Sequence, residues 1–247
     1  MSYSEIHFHL LPGVDDGPKS MQESLDLAAL AAADGTETIV ATPHVHPQHI
    51  TDPLEIAGRT AELSARLRAD RIPVEVLPGG ELSHHLVGRL SHAQLDAVAQ
   101  GPAARRWVLL EAPFDGIADD YTAAADELRN QGFAIVVAHP ERASQSAATE
   151  RAIEYELSQG STFQLTAWSF SGQYGERVRA LARRLLCLAP RSVIASDAHG
   201  RDRMPSLSIA VAELRSSGER DAERYAGARP QALLTHGLAL SPAAQAA

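Results

Sequence analysis

The sequence predicts an α/β fold built as a closed or nearly closed barrel of seven parallel strands. Three observations predict it. Seven short apolar runs, at 5–9, 37–42, 73–77, 106–111, 133–138, 162–166 and 191–195, alternate with stretches of helical periodicity. Such alternation makes a parallel sheet joined by right-handed crossovers. Six of the seven runs end at or just before His, Asp or Glu. Strand C-termini are where a parallel barrel carries its chemistry. The 247 residues suffice for one large core, so 1–247 is read as a single domain.

The elements follow in order. In the first run Ile6 and Phe8 alternate with His7 and His9. Positions i and i+2 of a strand face one way, so both imidazoles can share a cation. Taken alone, an amphipathic strand with two incidental histidines explains the pair equally well. Leu11 to Pro18 is a stiff acidic turn carrying Asp15 and Asp16. Ser20 and Glu23 resemble a capping box, and Leu25, Ala28, Ala29 and Ala32 recur at helical spacing over 20–34. Gly35, Gly132 and Gly160 each stand between a helix and a strand, where a left-handed cap is expected.

The second run leads through Pro43 to His44; His46 and His49 follow in what reads as a surface loop. A helix is expected at 53–70. The third run passes Pro78-Gly79-Gly80 to Glu81, where two glycines permit close backbone approach and the two carboxylate oxygens can bridge two metals. His84 and His85 read as bystanders, and 82–104 does not separate helix from loop. The fourth run ends in Glu111, a carboxylate that needs an arginine or a cation if buried. After a helix at 119–131, the fifth run leads to His139-Pro140-Glu141-Arg142. Helices at 146–158 and 174–186 flank the sixth run. The last run reaches Asp197 and His199, which share a side as His7 and His9 do. A helix at 205–217 follows. The chain beyond about Pro230 is small and polar and is expected to fray, most fully past about residue 237.

Composition excludes several classes. The formal net charge is −9, from 22 basic and 31 acidic residues, which argues against a nucleic-acid track or an anionic membrane surface. The one cysteine, Cys187, excludes an intrachain disulfide, and its Arg-Leu-Leu-Cys-Leu setting reads as a buried core thiol. No phosphate-binding loop follows it, so cysteine-based catalysis is excluded. No basic-then-apolar leader is visible, and no apolar run approaches the roughly 20 residues that span a bilayer. The expected location is therefore the cytoplasm, without membrane insertion. The arginine-bearing stretch 177–184 leaves a homo-oligomer or an acidic peptide open, though a solvated face is the favoured reading.

The stretches IHFHLLPGVDDGPKSMQESL, IVATPHVHP, GGEL, LLEAPF, VAHPER, LTAWSFSGQYG and IASDAHG run in order from residue 6 to 200. They resemble the PHP (polymerase and histidinol phosphatase) superfamily, and within it the bacterial capsule-associated, manganese-dependent protein-tyrosine phosphatases. DDGPKS with HPER carries the narrower resemblance; HxH and SDAH mark only the superfamily. The resemblance implies a distorted seven-stranded (β/α) barrel of PHP type with three divalent ions. It implies His7, His9, Glu81 and Asp197 at one ion. A second would take Glu81, Glu111 and His139, and a third Asp16, His44 and His199. Manganese is the first choice, with iron, zinc or magnesium open.

The resemblance also implies two phosphate-binding arginines. Arg142 carries over directly. The second normally stands five residues after the final histidine, before two prolines. Here Arg203 stands four residues after His199 and one proline is replaced, so Arg201 is the alternative. Trp168 stands where a smaller residue is expected.

The implied activity is hydrolysis of phosphotyrosine in a protein by a hydroxide bridging the metals. The implied substrate is the tail of a bacterial tyrosine kinase that controls capsule or exopolysaccharide export. The competing readings are a small-molecule phosphatase acting on histidinol phosphate or a sugar phosphate, and a catalytically silent metal-binding module. A lysine-bridged amidohydrolase ranks low, because Lys19 is the one lysine and lies in a loop.

Overall fold

A computed structural model describes residues 2–50, 52–189 and 191–241. Its strands are β1 (Tyr3–Phe8), β2 (Thr36–Ala41), β3 (His44–Val45), β4 (Glu75–Pro78), β5 (Glu81–Ser83), β6 (Trp107–Glu111), β7 (Ala134–Ala138), β8 (Thr162–Thr166) and β9 (Val193–Ala195). The helices are α1 (Met21–Asp34), α2 (Ile56–Ala69), α3 (His92–Val98), α4 (Asp119–Asn130), α5 (Ala147–Ser158), α6 (Ala167–Ser171), α7 (Glu176–Leu188), α8 (Leu207–Ser216) and α9 (Ala228–His236).

All strand pairings are parallel, in two sheets ordered β1-β2-β4 and β3-β5-β6-β7-β8-β9. The sequence predicts seven strands; nine short ones are present among the described residues. β3 follows the second predicted strand across Pro43, which has no N–H to give a ladder. β5 likewise follows the third across Gly79-Gly80. The sheets meet on their other flank, where Phe8 bridges Ala198 and Asp197 N donates to His7 O at 3.1 Å.

Two apolar layers sort by strand parity. Trp107 and Leu109 of β6, Ala134, Val136 and Ala138 of β7, and Val193 and Ala195 of β9 form one cluster with Leu233 and Leu238. The alternate residues Val108, Leu110, Ile135, Val137 and Ile194 join the larger cluster that the helices cover. Glu111 shares the parity of Trp107 and Leu109, so it points to the inner side. The inner cluster is plugged at the strand N-termini by α9 and the segment after it: Trp107 Nε1 donates to Leu233 O at 3.0 Å. That leaves the strand C-termini for the site.

Local signals hold where they are strong. Ser20 Oγ accepts from Glu23 N, but Glu23 Oε2 accepts from Lys19 N, so the box is half formed. Gly35, Gly132 and Gly160 all have positive φ, at 102°, 94° and 80°.

Three expectations are corrected. The chain does not fray from Pro230: Pro230 is buried inside α9, and Leu238 is 3% exposed with its N–H donated to Arg105 O. Residues 242–247 lie outside the described residues. Cys187 is exposed, not buried, because α7 turns Ala182, Leu185 and Leu186 to the core and leaves the next position outside. The ambiguous stretch 82–104 contains α3, opened by a complete Ser91–Gln94 capping box.

Candidate metal centre

His7 and His9 are fully buried. Their Nδ1 atoms have defined partners: His7 Nδ1 donates to Gln164 Oε1 at 2.8 Å, and His9 Nδ1 to Asp15 Oδ2 at 2.8 Å. With the proton held there, each Nε2 carries a lone pair. The two Nε2 atoms face each other at 3.2 Å. Glu81 Oε2 lies 3.2 and 3.3 Å from them, and Asp197 Oδ1 3.3 and 3.5 Å. In the neutral tautomers so fixed the lone pairs and carboxylates converge, and a cation among them would take the place of the protons that the ion-free imidazoles carry. His199 repeats the pattern. Its Nδ1 donates to Asp197 O at 2.9 Å, and its buried Nε2 faces Asp16 Oδ1 at 3.1 Å without a well-formed hydrogen bond. Glu81 Oε2 is likewise buried without one. The donor set fits divalent metal ions that accept imidazole and carboxylate.

The backbone works to assemble this set. A Cβ on Gly79 would stand 2.5 Å from Val40 Cγ1, and one on Gly80 2.8 Å from Val98 Cγ1. Only glycine lets the chain pass there and deliver Glu81 beside His44, its register partner. By strand alternation His139 would follow Val137 to the outer side. Its left-handed backbone, φ 36° and ψ 46°, departs from that alternation. Its Nε2 stands 2.9 Å from Glu81 Oε1. Asp197 has φ 52°. Such conformations cost about 1–3 kcal/mol in a non-glycine residue and gather at functional sites.

Donor atoms that lie together form four overlapping groups: His9, Asp16, His44 and His199; His7, His139 and Asp197; His7, His9 and Glu81; His44, Glu81 and Glu111. All nine sequence candidates fall in these groups. The contacts overlap the implied sets rather than separating them: His139 groups with His7 and Asp197 as well as reaching Glu81, and His44 reaches Glu81 Oε2 at 3.0 Å and Glu111 Oε2 at 3.9 Å. His84, His85 and Asp120 form a separate group.

The charges are arranged for cations. Burial pulls the His9 pKa down, but Asp15, Asp197 and Glu81 outweigh it and hold it well above the usual imidazole value. Burial raises the Glu81 pKa, yet His7, His44 and His139 carry it well below the carboxylate range. Glu111 is pushed up to about 7 by burial and then by the Glu81 charge. His199 is pushed down to about 4, first by burial and then by His9. A site that protonates some groups to tolerate others is asking for external positive charge.

Two arginines overlook it. Arg142 Nη1 donates to Asp197 Oδ2 at 2.6 Å, and its guanidinium lies 4.6 Å from the Phe114 ring centre and 4.5 Å from that of Tyr174. Arg203 Nη2 donates to Asp16 Oδ2 at 3.2 Å, and Nη1 lies 3.4 Å from Asp197 Oδ2. Arg201 instead lines a cavity against α1. Trp168 Nε1 donates to Met204 O at 2.9 Å and ties down the segment that carries Arg203.

Sequence reasoning missed three contributors, Gln164, Phe114 and Tyr174, and gave Asp15 only a place in the acidic turn. Gln164 and Asp15 orient the histidine rings; Phe114 and Tyr174 flank Arg142. Asp15 stood in the acidic turn, and Gln164 was the one legible oddity, an amide inside a buried strand. Because Asp15 also accepts from Gly17 N and His44 N, it fixes the turn as well as His9. Asp15→Asn should therefore weaken metal binding by about 10–100-fold. Competition against a calibrated chelator measures this; unchanged affinity would remove Asp15 from the centre's support.

A parallel α/β fold with imidazoles and carboxylates gathered at its strand ends defines a class: barrel-like proteins with the donor set of a metal centre. The phosphotriesterase homology protein of Escherichia coli shares the fold at a TM-score of 0.61 and 12% identity, covering 92% of this chain and 97% of that one. Residues 3–235 match the family described as capsular polysaccharide synthesis, CpsB/CapC, and the chain belongs to that family. It is 29% identical over 197 residues to the tyrosine-protein phosphatase YwqE of Bacillus subtilis, covering 79% of this chain and 76% of that protein. It is 25% identical over 209 residues to the tyrosine-protein phosphatase CpsB of Streptococcus pneumoniae, covering 81% and 84%. A crystal structure from work on those two proteins, there called metal-dependent tyrosine phosphatases, aligns with a TM-score of 0.82 at 26% identity over 98% of this chain and 96% of that one.

Proposed function

We propose that this chain is a metal-dependent protein-tyrosine phosphatase. The observation that carries the reading is the convergence of imidazole lone pairs and carboxylates beside two arginines. The tyrosine-phosphatase activity for which YwqE and CpsB are named supports it. Nine residues hold the ions: His7, His9, Asp16, His44, Glu81, Glu111, His139, Asp197 and His199. Three divalent ions, manganese first, suit this set. Taking β2 with β3 and β4 with β5 as single interrupted strands gives one distorted seven-stranded barrel, with the whole chain as one domain.

When bound, the ions supply charge neutralisation and an activated water. The chain's own residues do the rest. Gln164 and Asp15 hold the Nδ1 protons of His7 and His9, which keeps both Nε2 atoms available. Arg142 and Arg203 meet the phosphate oxygens as planar forks and offset the charge that grows on them. Phe114, 51% exposed and next to Arg142, offers apolar surface to a phenyl ring. Tyrosine is a good leaving group, with a free pKa of about 10.

The family description supports a role in capsular polysaccharide synthesis; the substrate we propose is the phosphorylated tail of a bacterial tyrosine kinase, met in the cytoplasm. No described helix is long and apolar enough to cross a membrane.

The test uses metal-stripped protein with manganese added back. Hydrolysis of p-nitrophenyl phosphate and of a phosphotyrosyl peptide is expected, with histidinol phosphate turned over poorly. Preference for histidinol phosphate would move the substrate to small molecules. Inactivity with every metal tested, in folded metal-binding protein, would sink the reading.

A further inference from the structure

A cavity of about 630 Å³ opens beside His199. One wall is α1, which contributes Glu23, Asp26, Leu27 and Leu30; Arg201 stands at the His199 end. Positions 23, 26, 27 and 30 recur at helical spacing and so share a face. Leu27 is 3% exposed and forms the floor, while Leu30 is 47% exposed. A lone exposed leucine is ordinary. Here it lies beside two exposed carboxylates whose hydrogen bonds go to Lys19 N and Gln22 Nε2. Among the described residues neither carboxylate faces a basic side chain within ion-pair distance. The cavity thus pairs an apolar floor with two carboxylates along α1, carries Arg201 at its other end without an ion pair to either, and runs up to a candidate ligand of the centre.

Its polarity is opposite to that of the arginine side. Arg142 and Arg203 suit a phosphate; Glu23 and Asp26 suit an ammonium or guanidinium. The volume admits one or two side chains rather than a folded surface. On the basis of the phosphatase reading, we infer that this cavity holds the peptide segment flanking the phosphotyrosine, taking an aliphatic side chain against Leu27 and Leu30 and a lysine or arginine against Glu23 and Asp26. A small ester cannot reach it. The flank therefore sets which tyrosines are dephosphorylated.

The experiment compares kcat/KM for phosphotyrosyl hexapeptides, each divided by that for p-nitrophenyl phosphate on the same manganese-loaded protein. The peptides carry Leu and Lys, Ala alone, or Asp on either side of the phosphotyrosine. The ratio should be about tenfold higher for a Leu/Lys flank than for Ala, as one apolar contact with one charge pair allows. It should be lowest for Asp. Leu30→Ser and Asp26→Lys should each erase the preference, chiefly through KM. Equal ratios for all flanks, or a preference that survives both substitutions, overturns the inference. Loss of turnover on every substrate instead overturns the phosphatase reading. In that event, anisotropy of a fluorescent unphosphorylated Leu/Lys peptide decides the cavity: binding weakened by Asp26→Lys supports it, and no difference refutes it.

Discussion

Glu81→Gln is expected to abolish activity, lowering kcat/KM by about a thousandfold, with most of the bound metal lost. The size follows from what the two oxygens do. Oε2 stands 3.0–3.3 Å from His44, His7 and His9, and Oε1 stands 2.9 Å from His139. Among the described residues no other carboxylate lies within ion-pair distance of four of the centre's five histidines. Removing one preorganised charge-stabilising group costs about 10²–10³ in rate, and loss of metal adds to that. Circular dichroism and thermal stability separate this from misfolding. The metal-free variant should show the wild-type circular dichroism but melt below the metal-free wild type, because the imidazoles that hold the Glu81 carboxylate ionised lose their anionic partner. Manganese should stabilise the wild type far more than the variant. Full metal content with full activity in Glu81→Gln would remove Glu81 from the centre.

Arg142→Ala should behave in the opposite way. Turnover should fall about 10²–10³-fold while metal content stays near the wild-type level. Arg142 touches the outer oxygen of Asp197, Oδ2, whereas Oδ1 is the atom beside His7 and His9. Its guanidinium is clasped by Phe114 and Tyr174, so its plane is set before any phosphate arrives. Arg142→Lys should recover little, because an ammonium lacks both the fork and the flat face. Elemental analysis beside kinetics checks this. Metal loss in Arg142→Ala would make Arg142 a support of the ions rather than a grip on phosphate.

The candidate ligands were legible for a simple reason. Strand C-termini repeat, and a buried strand ending in a titratable residue is costly unless something pays for it. His7 with His9 and Asp197 with His199 added the two-residue period. What stayed hidden depends on distance across the fold. Gln164 and His7 are 157 residues apart, and nothing in either neighbourhood announces the bond. The breaks at Pro43 and Gly79-Gly80 could not be told from strand ends, since proline and glycine punctuate both. The short α3 and α6 gave too few turns for a period. Small, polar α9 residues looked like a tail because the partner that anchors them, Trp107, lies 126 residues earlier. Cys187 misled because a one-residue step on a helix turns about 100°, and Leu-Leu-Cys-Leu does not show which of the four faces inward.

The closure of β1 against the segment after β9 has a consequence for biosynthesis. Glu5 accepts from Ser196 N across 191 residues. While the chain is being made, one flank of β1 is therefore an open edge throughout most of synthesis. Exposed edges pair with whatever strand is nearby. A nascent chain halted before β9 has His7 and His9 without Asp197 and His199, and an inner layer without the residues that stopper it. Half-made molecules are thus the state most prone to stick together and to pick up the wrong ion, and rapid completion of the last quarter of the chain is their best protection.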